Sequence, residues 1–101
     1  MQVNFFVCSS KGKKVSDGAF YMCLNWPTDL PSRDCTITFE ARNGEPASGS
    51  GNELITIEGR ALYAEAEERM CDVLVDVGSF AEDLQSGRIC VNRWLTICRP
   101  R

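Results

Sequence analysis

With 101 residues, of which 44% are hydrophobic and 25% charged, the chain has room for one hydrophobic core and falls in the globular range of composition. The net charge of −3 is mild, and no apolar stretch reaches the roughly 18–20 residues that span a bilayer as a helix. These features exclude wholesale disorder and a membrane-spanning helix, and they rank nucleic acid low among partners.

Residues 2–8 read as a strand, with Val3, Phe5 and Val7 alternating against Gln2 and Asn4. The same N-terminal segment lacks the basic start, long apolar stretch and cleavage site of a signal peptide, which makes a cytoplasmic protein the expectation. A secreted protein is the alternative if the cysteines are disulfide-bonded. Residues 9–14 form a polar, basic loop. A second strand is expected at 18–26, with Phe20, Met22, Leu24 and Trp26 sharing a face, and Pro27 and Pro31 keep the next segment extended. In the third strand, residues 35–41, Cys35, Ile37 and Phe39 face inward and Thr36, Thr38 and Glu40 outward.

A flexible loop follows at about residues 43–52, rich in Gly and Ser, and residues 54–57 form a short β candidate. Ile57-Glu58-Gly59-Arg60 matches the tetrapeptide recognised by factor Xa, so with the Ser-Gly-Ser-Gly stretch upstream this region also reads as an engineered linker. Residues 60–85 then fit a long amphipathic helix. At about 100° per residue, Leu62, Tyr63, Ala66, Met70, Val73, Leu74, Val77, Phe80, Ala81 and Leu84 fall within one arc that contains no charge. A break at Gly78 with a short second helix, opened by a capping box at residues 79–82, is the alternative. Gly87 is a candidate C-terminal cap. A last strand spans residues 88–99, placing Ile89, Val91, Leu95 and Ile97 on one side, with Arg93 interrupting; a tight turn at Asn92-Arg93 would make it a hairpin.

The expected fold is therefore a single α+β domain over residues 1–101, an antiparallel sheet of four to five strands with one long amphipathic helix packed on one face. Six cysteines at positions 8, 23, 35, 71, 90 and 98 permit a disulfide framework. Their placement inside apolar runs favours reduced thiols acting as small buried hydrophobes. There is no CxxC and no histidine, so neither zinc spacing nor a Ser-His or Cys-His pair can be built. No catalytic, cofactor-binding or metal-binding residue is assigned, and no cofactor is expected.

Function is sought instead in the charge layout. Residues 60–86 carry seven acids against two arginines, whereas residues 87–101 carry four arginines and no acid. On the helical reading, Ala64, Cys71 and Val75 make a thin apolar strip among the acids, opposite the main apolar face. Glu67, Glu68, Cys71, Asp72 and Val75 are thus the candidate partner-binding residues, favouring a protein with a basic surface, and the 26–34 loop is the second candidate. The function expected is a small non-enzymatic protein-binding domain of the inhibitor, immunity or phage anti-defence kind. A secreted, disulfide-linked effector or toxin-like domain is the alternative, with an enzyme ranked third.

Overall fold

The computed structural model describes residues 1–9, 13–14, 18–43 and 53–98. Six strands lie in one mixed sheet: β1 (Gln2–Val7), β2 (Tyr21–Cys23), β3 (Thr36–Asn43), β4 (Glu53–Ala66), β5 (Met70–Asp76) and β6 (Ile89–Cys98). Their order is β2-β1-β5-β4-β3-β6. Only β1 and β5 run parallel; every other pair is antiparallel. The sheet curls until its edge strands approach each other, so the molecule is a nearly closed barrel rather than a sheet with a helix on one face.

The long helix at residues 60–85 is absent. That segment is the second half of β4, a polar turn at residues 67–69, all of β5, a 3₁₀ turn at Gly78–Phe80 and one short helix, α1 (Ala81–Ser86). The reason lies in the alternation. Cys71, Val73, Val75 and Val77 are buried, while Asp72, Leu74 and Asp76 between them are half-exposed, a period of two that suits β-branched valines and wastes them in a helix. In β4, Ile57, Gly59 and Ala61 point in. An extra residue, Leu62, then slips the pairing between Ala61↔Val75 and Tyr63↔Leu74. This bulge flips the parity, so that Tyr63 and Glu65 face out and Ala64 packs inward. A period-two pattern with a phase jump and a turn imitated a period of 3.6. The strip of Cys71 and Val75, anomalous on a helix, was the true inner face.

Val3, Phe5 and Val7 of β1, Ile37, Phe39 and Ala41 of β3, and Cys35 just before β3 are fully buried, as their alternation predicts. The second expected strand is shorter than predicted and faces differently: Tyr21 and Cys23 pack toward the core, whereas Met22 and Leu24 are exposed. β6 is continuous rather than a hairpin. Its register against β3 shifts twice, passing over Leu95 and Asn92. Each shift changes which parity points in, so Ile89, Val91, Trp94 and Ile97 all reach the core despite their irregular spacing. The interrupting Arg93 lies outside and pairs with Glu40 at 3.2 Å.

The interior holds an aromatic cluster. Phe5 meets Phe39 edge-on at 5.3 Å, and Phe20 meets Phe39 in the same way. Trp26, from the segment after β2, lies against Trp94 of β6 at 4.8 Å and so bridges the seam between the edge strands. Its indole Nε1 donates to the Asp29 carbonyl, and Leu30 and Pro31 tuck in behind it. The 26–34 segment thus packs Trp26 and Leu30 against the core. Leu84 of α1 is buried against the core, and α1 ends at Gly87, whose φ of 82° is the left-handed C-terminal cap expected there. Gly78, at φ 60°, turns the chain out of β5 with its N–H donating to Asp76 Oδ1.

The factor Xa-like tetrapeptide is an internal part of β4. Ile57 is fully buried, and residues 57–60 pair one for one with Phe39 through Thr36 of β3. Most of the flexible loop expected at about 43–52, the middle of the basic loop at 9–14, and Arg99 and Arg101 lie outside the described residues. All six cysteines are described, and none is disulfide-linked; Cys8, Cys35 and Cys71 are buried, Cys90 and Cys98 exposed.

Candidate functional site

The outer face of β1, β5 and β4 carries the candidate site, because the inward-facing side chains are packed into the core cluster. Because Val3, Phe5 and Val7 point in, Gln2, Asn4 and Phe6 point out. The parallel register sets them beside Met70, Asp72 and Leu74 of β5. After the Leu62 bulge, the antiparallel register adds Glu65 beside Asp72 and Tyr63 beside Leu74. Two rows result: a polar one of Asn4, Asp72 and Glu65, flanked on β2 by Met22, and an apolar one of Phe6, Leu74 and Tyr63.

The polar row is fixed by an amide relay. Gln2 Nε2 donates to Asn4 Oδ1 at 2.8 Å, and Asn4 Nδ2 donates to Asp72 Oδ1 at 2.9 Å. Asn4 is only 5% exposed, so this bond holds the Asp72 carboxylate in place. The apolar row surrounds a hollow of about 130 Å³ lined by Phe6, Lys14, Tyr63, Glu65, Asp72 and Leu74. Lys14, opposite Cys8 in an isolated β-bridge, places its Nζ 4.4 Å from the centre of the Phe6 ring. A smaller notch of about 60 Å³ adjoins it, between Glu65, Glu67, Met70 and Asp72.

A broader depression of about 570 Å³ lies further along the outer wall, bounded by Thr36, Thr56, Glu58, Arg60, Asp76, Ser79 and Phe80. It is open to solvent and mixes both charges, with Glu58 and Asp76 against Arg60. Among the described residues, no group of three or more His, Cys, Asp or Glu side chains is placed to hold a metal ion, and no helix is long and apolar enough to cross a membrane.

Two buried thiols are electrostatically disfavoured as thiolates. Burial pushes the Cys71 thiol up, with the Asp72 charge adding to it. Burial likewise raises Cys8, aided by Asp76 and opposed by Arg60. At the seam, burial raises the Tyr21 phenol, opposed by a hydrogen bond with the Trp94 backbone.

Of the residues proposed from sequence, the structure brings Glu67 and Asp72 together at the notch and leaves Glu68 exposed in the β4–β5 turn. Cys71 and Val75 are 0% exposed, inside the barrel, and offer nothing to a partner. The 26–34 loop turns its tryptophan inward. Sequence reasoning missed Phe6, Tyr63, Glu65 and Leu74. The signal for Phe6 was present in the Phe5-Phe6 pair, since a strand must turn one of two adjacent rings outward. No protein-family model, characterised protein or solved structure matches the chain.

Proposed function

We propose that this domain is a non-enzymatic protein-binding module that docks a macromolecular partner on the outer face of β1, β5 and β4. One observation carries the reading: an aromatic and aliphatic row, Phe6, Leu74 and Tyr63, stands on the outside of a barrel whose core is already filled. Tyr63 is 53% exposed, with Met22 and Met70, at 56% and 41%, on the same face. Exposed apolar groups gathered on one face mark interaction sites, and aromatic side chains dominate binding energy at interface centres. The acids Glu65, Glu67 and Asp72 border the row and suit a partner that is basic where it touches. Occupying a partner's surface in this way needs no catalytic group and is how small inhibitors and immunity proteins act.

The test is affinity capture from cells that encode the protein, comparing wild type with Tyr63→Arg/Glu65→Arg. Both side chains are on the outer face, so the variant keeps its fold, which a matching thermal melt verifies. A partner retained by wild type and by Thr38→Arg/Thr96→Arg on the β3–β6 wall, but lost by the Tyr63/Glu65 variant, supports the reading. A partner that all three proteins retain equally defeats it.

A further inference from the structure

We propose that the hollow between β1, β5 and β4 receives an arginine side chain of the docked partner, and that Lys14 is its intramolecular stand-in. This rests on the docking reading above and adds the partner's chemistry. The hollow is built for an amphipathic cation: Phe6, Tyr63 and Leu74 supply apolar surface for an aliphatic stem, while Glu65 and Asp72 supply carboxylates at the rim. Its volume of about 130 Å³ is several times the roughly 30 Å³ share of one water, room enough for a guanidinium head.

The protein already places a cation there. The Lys14 ammonium lies over the Phe6 ring at 4.4 Å, well inside the distance at which a cation is drawn to an aromatic face. Lys14 makes no ion pair with Glu65 or Asp72, so it stands in the hollow without closing on either acid. With Glu67 at the adjoining notch, one ammonium leaves most of the local negative charge uncompensated. Asp72 is held by Asn4 through one oxygen, and a carboxylate has lone pairs for further donors. A guanidinium suits these groups better than an ammonium, because it stacks flat on a ring and forks onto a carboxylate.

Titrating the full chain with a blocked Gly-Leu-Arg-Leu-Gly peptide, followed by NMR, tests the proposal against the same peptide carrying citrulline, the neutral isostere of arginine. The arginine peptide is expected to shift the Phe6, Tyr63 and Leu74 resonances and to bind at least about fivefold tighter than its citrulline counterpart. Lys14→Ala removes the competing cation and tightens binding roughly two- to fivefold. Glu65→Gln/Asp72→Asn, which keeps an acceptor for Asn4, weakens it by a factor of about five.

Equal binding of the two peptides overturns the proposal, as do an unchanged affinity in Lys14→Ala and shifts that map to the Glu58–Asp76 depression. Concentration-dependent broadening of the Phe6 and Tyr63 signals without peptide assigns the face to a second copy and also overturns it. If the peptides fail while Tyr63→Arg/Glu65→Arg still loses its captured partner, the arginine receptor falls and the docking face stands. If both fail, both fall.

Discussion

Gly59 shows how tightly single residues are specified in this barrel. It lies in β4 with its Cα facing the core, and a Cβ built on it runs into Cγ1 of Val75, with Val77 Cγ1 next at 3.2 Å. Val75 is fully buried and its neighbours are core side chains, so neither valine can swing aside freely. Gly59→Ala should therefore destabilise by about 1–3 kcal/mol, the usual cost of overpacking, although alanine is no worse than glycine as a strand former. Urea denaturation checks this, and Gly59→Ala combined with Val75→Ala should recover part of the loss by vacating the contested space. The buried thiols make a second prediction at the same scale. Cys8 and Cys71 are raised in the folded state above their ordinary range, so at alkaline pH the unfolded chain gives up those protons first. The sign follows: the stability they contribute is complete below the ordinary thiol value of about 8.5 and is lost as pH rises from there toward the folded-state values. Thermal melts between neutral and alkaline pH should show that decline, and Cys71→Ala/Cys8→Ala should flatten it. In the native state, alkylation should reach Cys90 and Cys98 well before the buried cysteines.

At the scale of elements, the strands at residues 2–8 and 35–41 were legible because nothing interrupts their alternation: Val3, Phe5 and Val7, then Cys35, Ile37 and Phe39, are buried as read. Register shifts interrupt β4 and β6, whereas β5 keeps its alternation and was misread together with the shifted segment before it. In β4 the extra Leu62 moves the inward set from odd to even positions, and in β6 two such shifts do so twice. A bulge costs the sheet little but erases the period a reader depends on. Around residues 60–76 the broken alternation then fell, by the accident of its phase, onto one side of a helical wheel. Cys71 and Val75 carried the contrary evidence, since a helix gave them no reason to be apolar. The candidate site suffered in turn, because a residue's face is known only once its period is. Asp72 and Glu67 were picked out by charge, which survives a change of secondary structure, and the fold sets them at one notch. Phe6, Tyr63 and Leu74 were missed because apolar residues are assigned to a core by default, and only the register shows three of them side by side on the outside.

For the whole molecule, the pairing pattern dictates how the chain must fold. β1 pairs with β5, setting Val3 beside Cys71, and β3 pairs with β6, setting Ile37 beside Ile97. Both pairings close long loops before they yield contacts, and the entropy of that closure is spent in the transition state. The β1–β2, β3–β4 and β4–β5 pairs, by contrast, are built from neighbours in sequence. Because the sheet cannot close without β1–β5 and β3–β6, refolding should be slow for a chain of this size, on the order of milliseconds to seconds, as for other β domains that depend on non-local strand pairs. A helix-centred α+β domain would assemble faster. The two tryptophans report the decisive step, because Trp26 and Trp94 meet only when the edge strands β2 and β6 come together. Stopped-flow refolding should show tryptophan fluorescence changing in the same phase as far-UV circular dichroism if closure and strand pairing are one cooperative event. Trp94→Phe keeps an aromatic at the seam but removes one reporter, so the rate should hold while the fluorescence change shrinks. Trp94→Ala removes the contact of Trp26 across the seam, leaving it Phe5 alone among these rings, and should cost about 2–4 kcal/mol. If the seam closes only after the transition state, that cost appears almost wholly as faster unfolding. A slowing of refolding in Trp94→Ala by the full stability loss would instead place closure of the barrel at the start of folding.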